Sequence, residues 1–329
     1  MPANIYIDPR WKNAGGIGTF YEEVNKINGY ETLSIKGDPA SPFDTLSSAI
    51  TLSSLNNSVV FFPGYIPPLS SKVPYVFTIH DLNHLDRKEN SSVAKKVFYN
   101  TIIKKGCKTS SFIFTVSDFS RNRIIEWSGV DENKVINVGN GVSHEFTPDG
   151  EKMDLGYEYF LCVSNRKSHK NEFGVLKAFS DANIDNQIKL VFTGKPNNEI
   201  QSFISALDIQ ERVVFTGFID SRELPKLYRS AKALIFPSFY EGFGLPVIEA
   251  QASGVPVITS NNSSLGEISG GAAFLVEPTE INDIVKAIEL VCYSAELVKV
   301  NTKNGLINAK KYSWEKTANI VDRYLKQLS

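Results

Sequence analysis

Ten apolar runs of four or five residues alternate with longer segments of helical pattern; they lie at 4–8, 59–62, 75–79, 112–116, 135–138, 159–163, 189–193, 213–216, 233–237 and 255–259. Runs this short and this apolar suit strands buried on both faces, and their alternation with helices is the pattern of parallel sheets covered on both sides. Five fall in each half, so the expected fold class is α/β with two doubly wound sheets. At 329 residues the chain exceeds the size at which one core usually stops growing, and two domains of roughly 150 residues are the natural division. The turn-rich stretch 147–156, with Thr147, Pro148, Asp149, Gly150 and Gly156, places the boundary between domains 1–150 and 151–312. In the remaining segment, 313–329, Trp314, Ala318, Val321 and Leu325 recur at helical spacing. Periodicity leaves open which domain this amphipathic helix covers; packing back on the first is one placement.

Charge excludes some partners. Thirty-five Lys and Arg against 36 Asp and Glu leave a formal net charge of −1, without the field expected of a nucleic-acid binder. One basic segment stands out: Arg87, Lys88, Lys95, Lys96, Lys104, Lys105 and Lys108 face the single acid Glu89. It reads either as a solvated helix face or as a surface for anionic lipid or phosphate. Cys107, Cys162 and Cys292 are too far apart in sequence for a CxxC pair, so neither a disulfide framework nor a zinc site is indicated, and a reducing compartment fits. The N-terminus lacks a basic start followed by an apolar core, and no run approaches the roughly 18 apolar residues of a membrane span. A cytoplasmic protein, at most touching a membrane, is the expectation.

Open α/β sheets bind ligands beyond the carboxyl ends of their strands. After run 233–237 comes Ser238-Phe-Tyr-Glu241-Gly242-Phe243-Gly244-Leu245-Pro246-Val-Ile-Glu249, and Gly254 follows. Pro246 suits a helix's first turn and Gly254 its stop. The helix N-terminus behind two glycines offers backbone N–H groups to an anion such as a diphosphate. Glu241 and Glu249 could accept hydrogen bonds from hydroxyls on either side of it, as a nucleotide sugar requires. By spacing alone, a tight turn and a surface glutamate explain the same residues. Ser264-Leu-Gly-Glu267 reads as a capping box opening a further helix. In the first half, Gly15, Gly16 and Gly18 follow the first run and precede a helical stretch, without completing a dinucleotide fingerprint. His80 and Asp81 follow run 75–79, and Ser117 and Asn140-Gly141 occupy comparable ends, where turn geometry is the expected role.

The string Glu-Gly-Phe-Gly-Leu-Pro-Val-Ile-Glu, 241–249, resembles the signature of the retaining family 4 glycosyltransferases of GT-B fold, and the similarity extends over nearly the whole chain. The resemblance implies two Rossmann-like domains facing across a cleft, an acceptor-side first domain and a nucleotide-sugar-binding second one. Val163-Ser-Asn-Arg166-Lys-Ser-His169-Lys170-Asn171 is similar to the family's diphosphate-holding loop, which makes Arg166 and Lys170 the phosphate clamps. With Glu241 contacting the transferred sugar and His80 matching a sugar-contacting histidine, these four form the implied catalytic set. The implied donor site comprises Gly16, Gly18, Gly194, Phe218, Ile219, Gly242, Phe243, Gly244, Leu245 and Glu249. Of these, Glu249 would bind ribose hydroxyls, while Gly194 and Phe218-Ile219 lie in loops that enclose nucleobase and ribose in similar enzymes. Two departures are visible: His169 stands where relatives often have Arg, and Gly266 where many have Pro.

Two fixed cations beside a helix N-terminus would stabilise the charge that develops on a departing diphosphate. No Asp-x-Asp pair occurs in the sequence, so neither metal nor other cofactor is expected, the nucleotide sugar being a co-substrate. No carboxylate can be named as a nucleophile for double displacement, which favours attack and departure on one face of the sugar. The expected acceptor is a glycan or polyprenyl-linked intermediate of surface polysaccharide synthesis, general similarity leaning to O-antigen or capsule enzymes and GDP-mannose. The compact first domain and basic segment make attachment to the inner membrane face a companion expectation. A non-catalytic nucleotide-sugar-binding protein is the alternative. An α-glucan phosphorylase relative lacks a pyridoxal-lysine context here, and an epimerase would need a full dinucleotide fingerprint.

Overall fold

The computed structural model describes residues 3–329, which form two compact units. One runs to Gly141 and includes Ser313–Ser329; the other is Val142–Tyr312. The stretch expected as a linker, 147–156, lies within the second unit. There the Arg229 guanidinium donates to the carbonyls of Glu145, Thr147 and Glu151 and so ties this stretch down.

In the first unit the chain runs β1 (Asn4–Ile7), α1 (Gly15–Asn28), β2 (Glu31–Thr32), α2 (Asp44–Ser53), β3 (Ser58–Phe62), β4 (Tyr75–Thr78), α3 (Asn83–Asp86), α4 (Val93–Phe98), α5 (Lys104–Thr109), β5 (Phe112–Thr115), α6 (Asp118–Ser128) and β6 (Val135–Asn137). The second unit continues β7 (Tyr159–Cys162), α7 (Glu172–Asp181), β8 (Lys189–Phe192), α8 (Asn198–Ala206), β9 (Val213–Phe215), α9 (Leu224–Ser230), β10 (Ala233–Phe236), α10 (Leu245–Ala252), β11 (Val257–Ser260), α11 (Ser263–Ile268), β12 (Phe274–Val276), α12 (Ile281–Tyr293) and α13 (Ala295–Ala309); α14 (Trp314–Lys326) ends the chain. All ten apolar runs are strands. The two unforeseen strands, β2 and β12, lie at sheet edges.

Both sheets are parallel throughout, ordered β2-β1-β3-β4-β5-β6 and β12-β11-β10-β7-β8-β9. In the second, Phe160 and Cys162 of β7 enter the core under α7 and α12, while Tyr159 and Leu161 enter the one under α9 and α10. This period of two with both faces apolar is why the strands read as unbroken runs. The order reverses between β7 and β10, so their carboxyl ends flank a topological switch point, where α/β sheets open a ligand crevice.

The basic segment is not one regular helix. Lys88–Asn90 is a single tight turn, and a π-helical turn, Tyr99–Ile103, separates α4 from α5. Lys95 Nζ donates to the Asn90 carbonyl and Lys104 Nζ to that of Trp127. Among the described residues no helix is long and apolar enough to cross a membrane.

α14 packs on α1 through the stripe Trp314, Ala318, Val321 and Leu325, all buried. Asn28 Nδ2 donates to the Ala318 carbonyl at 2.9 Å, and Ser313 caps the helix by accepting from the Lys316 N–H. Gly141 makes the approach possible, because a methyl group there would lie 2.1 Å from the Trp314 nitrogen. Since the obstruction is backbone, Gly141→Ala should cost about 2 kcal/mol. Urea denaturation followed by Trp fluorescence measures it; an unchanged midpoint would contradict this packing.

Candidate active site

Beyond the carboxyl ends of β7 and β10 the chain brings Lys170 and Glu241 together: Nζ lies 2.7 Å from Oε1, with both side chains mostly buried. The Lys170 ammonium also sits 4.9 Å from the centre of the Phe236 ring. Asn171 fixes this junction. Its φ is +56°, and its amide donates to the Pro237 carbonyl at 3.1 Å and the Pro278 carbonyl at 2.7 Å, joining the loops after β7, β10 and β12. His169 is buried, and its carbonyl accepts from the Phe239 N–H. Asn171→Ala would strip two buried carbonyls of their donor and should cost about 1–2 kcal/mol. A thermal melt checks that figure, and a donor KM that did not rise would show that the junction does not shape the site.

The loop 238–244 is held from beneath by hydroxyls. Ser264 Oγ lies 2.9 Å from the carbonyls of both Glu241 and Phe243 and shares its one proton between them, and Ser263 Oγ accepts from the Glu241 N–H. Ser264 is therefore not the cap expected from the sequence; α11 already begins at Ser263, and the hydroxyl is taken by the neighbouring loop. Gly244 opens α10 with φ +110°, where a methyl group would meet Leu265 Cδ2 at 2.6 Å. Only glycine suits both constraints. Phe243 is buried against Tyr312, Gly242 and Gly244 are buried and Leu245 is half-buried, so the loop is packed down where it enters the helix. No side chain caps α10, which leaves its positive end to an anion.

Glu249, one turn along α10, accepts from the Tyr228 hydroxyl at 2.8 Å. Burial pushes its carboxyl up to about 7, against the opposing effect of that hydrogen bond. Tyr228, fully buried on α9, has no sequence signature, because its meeting with Glu249 depends on how α9 and α10 pack. Burial also pushes the Cys162 thiol up, so it is no thiolate nucleophile.

Arg166 turns elsewhere. Its backbone is left-handed at φ +62°, its Nη1 pairs with the buried Glu172 carboxylate, Nη2 donates to the Thr193 carbonyl, and Nε donates to the Lys195 carbonyl at 3.0 Å. The guanidinium carbon lies 5.3 and 5.1 Å from the centres of the stacked Phe192 and Phe215 rings. Swinging it to a diphosphate would leave Glu172 buried and unpaired, a loss on the order of 3–5 kcal/mol. Gly194 and Gly217, both at positive φ, exchange two backbone hydrogen bonds; beyond them Ile219 packs on the core while Phe218 is 91% exposed.

In the first unit α1 starts at Gly15 without a side-chain cap. Gly16 faces open space, whereas a methyl on Gly18 would strike the backbone of Trp11 and Asn13, so Gly18 serves close packing within the loop. His80 Nε2 lies 2.9 Å from the Pro63 carbonyl, and Phe20 meets the ring edge-on at 5.2 Å. A carbonyl only accepts, so Nε2 carries the proton and Nδ1 is the acceptor. Burial lowers the ring's pKa to about 4, which keeps it neutral at pH 7. Ser117 caps α6, a turn role as expected. Among the described residues no three or more His, Cys, Asp or Glu side chains converge as a metal site would require.

Residues 144–308 match the family Glycosyl transferases group 1, and residues 32–146 match Glycosyltransferase Family 4. The chain belongs to these glycosyltransferases. Its fold is the expected GT-B class, with two doubly wound Rossmann-like units. O-antigen chain mannosyltransferase B of Escherichia coli is 28% identical over 73% of this chain and 67% of its own length. The serotype-specific mannosyltransferase WbdA of Escherichia coli is 25% identical over 80% of this chain, which spans only 35% of that protein. Among solved structures, Anabaena Alr3699/HepE in complex with UDP and glucose superposes with a TM-score of 0.77 at 15% identity, covering 99% of this chain and 100% of that one.

Proposed function

We propose that this glycosyltransferase moves a hexose, mannose from GDP-mannose in the first instance, to a glycan or polyprenyl-linked acceptor of surface polysaccharide synthesis. Transfer proceeds with retention and without a metal. The observation that carries this reading is the Lys170–Glu241 pair at the switch point beside the uncapped start of α10. The mannosyl choice is supported by the names of the relatives, two of them mannosyltransferases.

In the proposed reaction the diphosphate sits against the positive end of α10 with Lys170 beside it, and Glu249 accepts from ribose hydroxyls. The bond between the anomeric carbon and the diphosphate oxygen breaks. The acceptor oxygen bonds to the same carbon from the same face, and its proton passes to the departing diphosphate. Lys170 and the helix terminus stabilise the charge as it appears, a task fixed dipoles perform without reorganisation. Glu241 accepts hydrogen bonds from the sugar. The exposed Lys95, Lys96, Lys105 and Lys108 serve peripheral attachment to an anionic membrane face at the cytoplasmic side.

Calorimetric titration of GDP and UDP in the presence of EDTA tests the donor site. Expected is tight binding of GDP, weaker binding of UDP, and loss of both in Lys170→Ala and Glu249→Ala. A folded protein that binds neither nucleotide would overturn the proposal, and an inverted anomeric linkage in the NMR spectrum of the product would overturn retention.

A further inference from the structure

Arg166 lies in the loop after β7, four residues before Lys170, yet its guanidinium points away from the Lys170–Glu241 pair. Each of its three nitrogens has its own partner, on Glu172 at the start of α7 and on the carbonyls of Thr193 and Lys195. The Ser164 N–H adds a bond from the same loop to Thr193 Oγ1 at 3.2 Å. The segment Thr193–Lys195 is thus held at two carbonyls and one hydroxyl from the β7 side. Through the Gly194–Gly217 bridge it holds the next loop in turn. That second loop presents Phe218, the most exposed large apolar side chain among those described. Both glycines at positive φ allow this close crossing, and the Phe192–Phe215 stack supports the guanidinium face. A cation satisfied by a buried carboxylate and two carbonyls is a brace. One available to a diphosphate would be turned outward with its fork open.

We propose that Arg166 is a positioning residue for the donor's nucleoside, bracing the Thr193–Lys195 and Gly217–Ile219 loops so that Phe218 is preset to stack on the base, while Lys170 alone of the two cations acts on the diphosphate. This inference rests on the nucleotide-binding reading given above.

The two roles separate in the ratio of diphosphate to monophosphate affinity. Calorimetry is run with GDP and GMP, and with UDP and UMP if uridine nucleotides bind better, on the wild type, Arg166→Gln, Arg166→Lys, Glu172→Gln and Lys170→Met. As a brace, Arg166→Gln weakens monophosphate and diphosphate binding by the same factor, about tenfold for lost orienting hydrogen bonds, leaving their ratio at the wild-type value. Arg166→Lys, which keeps the charge but not the three-way fork, behaves in the same way, and Glu172→Gln moves in the same direction. Lys170→Met instead collapses the ratio. Donor KM rises in Arg166→Gln with kcat little changed, as for uniform binding, a split that general destabilisation would not produce. The inference is overturned if Arg166→Gln collapses the ratio while Arg166→Lys restores it, for then Arg166 is a phosphate clamp. It is also overturned if Arg166→Gln, folded by its melt, binds every nucleotide as the wild type does. A wild type that binds none removes the nucleotide-binding reading itself, and the brace for a nucleoside with it.

Discussion

Replacing Lys170 by Met is expected to lower kcat/KM for sugar transfer about a thousandfold, the upper range for removing one preorganised electrostatic donor. Met follows the lysine stem as far as Cε and lacks the ammonium that sits over the Phe236 ring, so the change removes charge more than volume. Two effects add. The departing diphosphate loses its cation, and the Glu241 carboxylate, 13% exposed and now unpaired, repels the same charge. Steady-state kinetics measure the loss, with a urea melt to show that the variant folds. The double variant Lys170→Met/Glu241→Gln separates the two effects by removing the repulsion; its rate should recover only part of the deficit. A single variant within tenfold of the wild type would mean that the switch-point pair is not where the leaving group sits.

That both members of this pair lie at one end of the sheet follows from topology. Parallel strands buried on both faces carry an apolar signal that neither edge position nor solvent breaks, and the residues immediately after them must gather at the carboxyl ends of the sheet. Lys170, Glu241 and the glycines of the α10 entrance follow β7 and β10, so strand assignment puts them at one end of the sheet, while their expected roles came from the resemblance to the family's motifs. The edge strands escaped for the opposite reason: Glu31–Thr32 is two polar, exposed residues, and Phe274–Val276 is a short edge strand. Contacts that depend on packing were equally hidden. Tyr228 reaches Glu249 only because α9 lies against α10, and Ser264 serves the Glu241 loop because that loop crosses its hydroxyl. Arg166 is the instructive case. The resemblance of its loop to the family's diphosphate-holding loop implied a ligand shared with Lys170, whereas in the structure a left-handed backbone and a buried Glu172 six residues on draw its charge to β8. The motif located the loop and could not give the direction of the side chain.

Glu249→Gln is expected to weaken donor nucleotide binding by a factor between about ten and a hundred at pH 8, the worth of hydrogen bonds to a charged acceptor, and to abolish a pH dependence that the wild type should show. Burial raises the Glu249 carboxyl from 4.5 to about 7. Ribose hydroxyls are better held by the carboxylate than by the acid, so below about pH 7 binding must first release a proton, and wild-type affinity should fall up to about tenfold per pH unit. Stability moves the other way. Because the folded pKa lies above the unfolded one, the native state binds more protons between pH 4.5 and about 7. The wild type therefore loses stability as pH rises through that window, by at most about 3.4 kcal/mol and less to the extent that water reaches the group. The glutamine variant carries no such loss, so it should be the more stable protein at pH 8 and the poorer binder. Parallel melts and titrations from pH 5 to 8 decide the matter. If affinity tracks pH equally in both proteins, another group senses the proton; if the variant is no more stable at pH 8, the carboxylate is not withdrawn from water as the structure places it. A site that binds better by holding a carboxylate in a place that costs the fold stability is the relation expected of a residue retained for ligand contact.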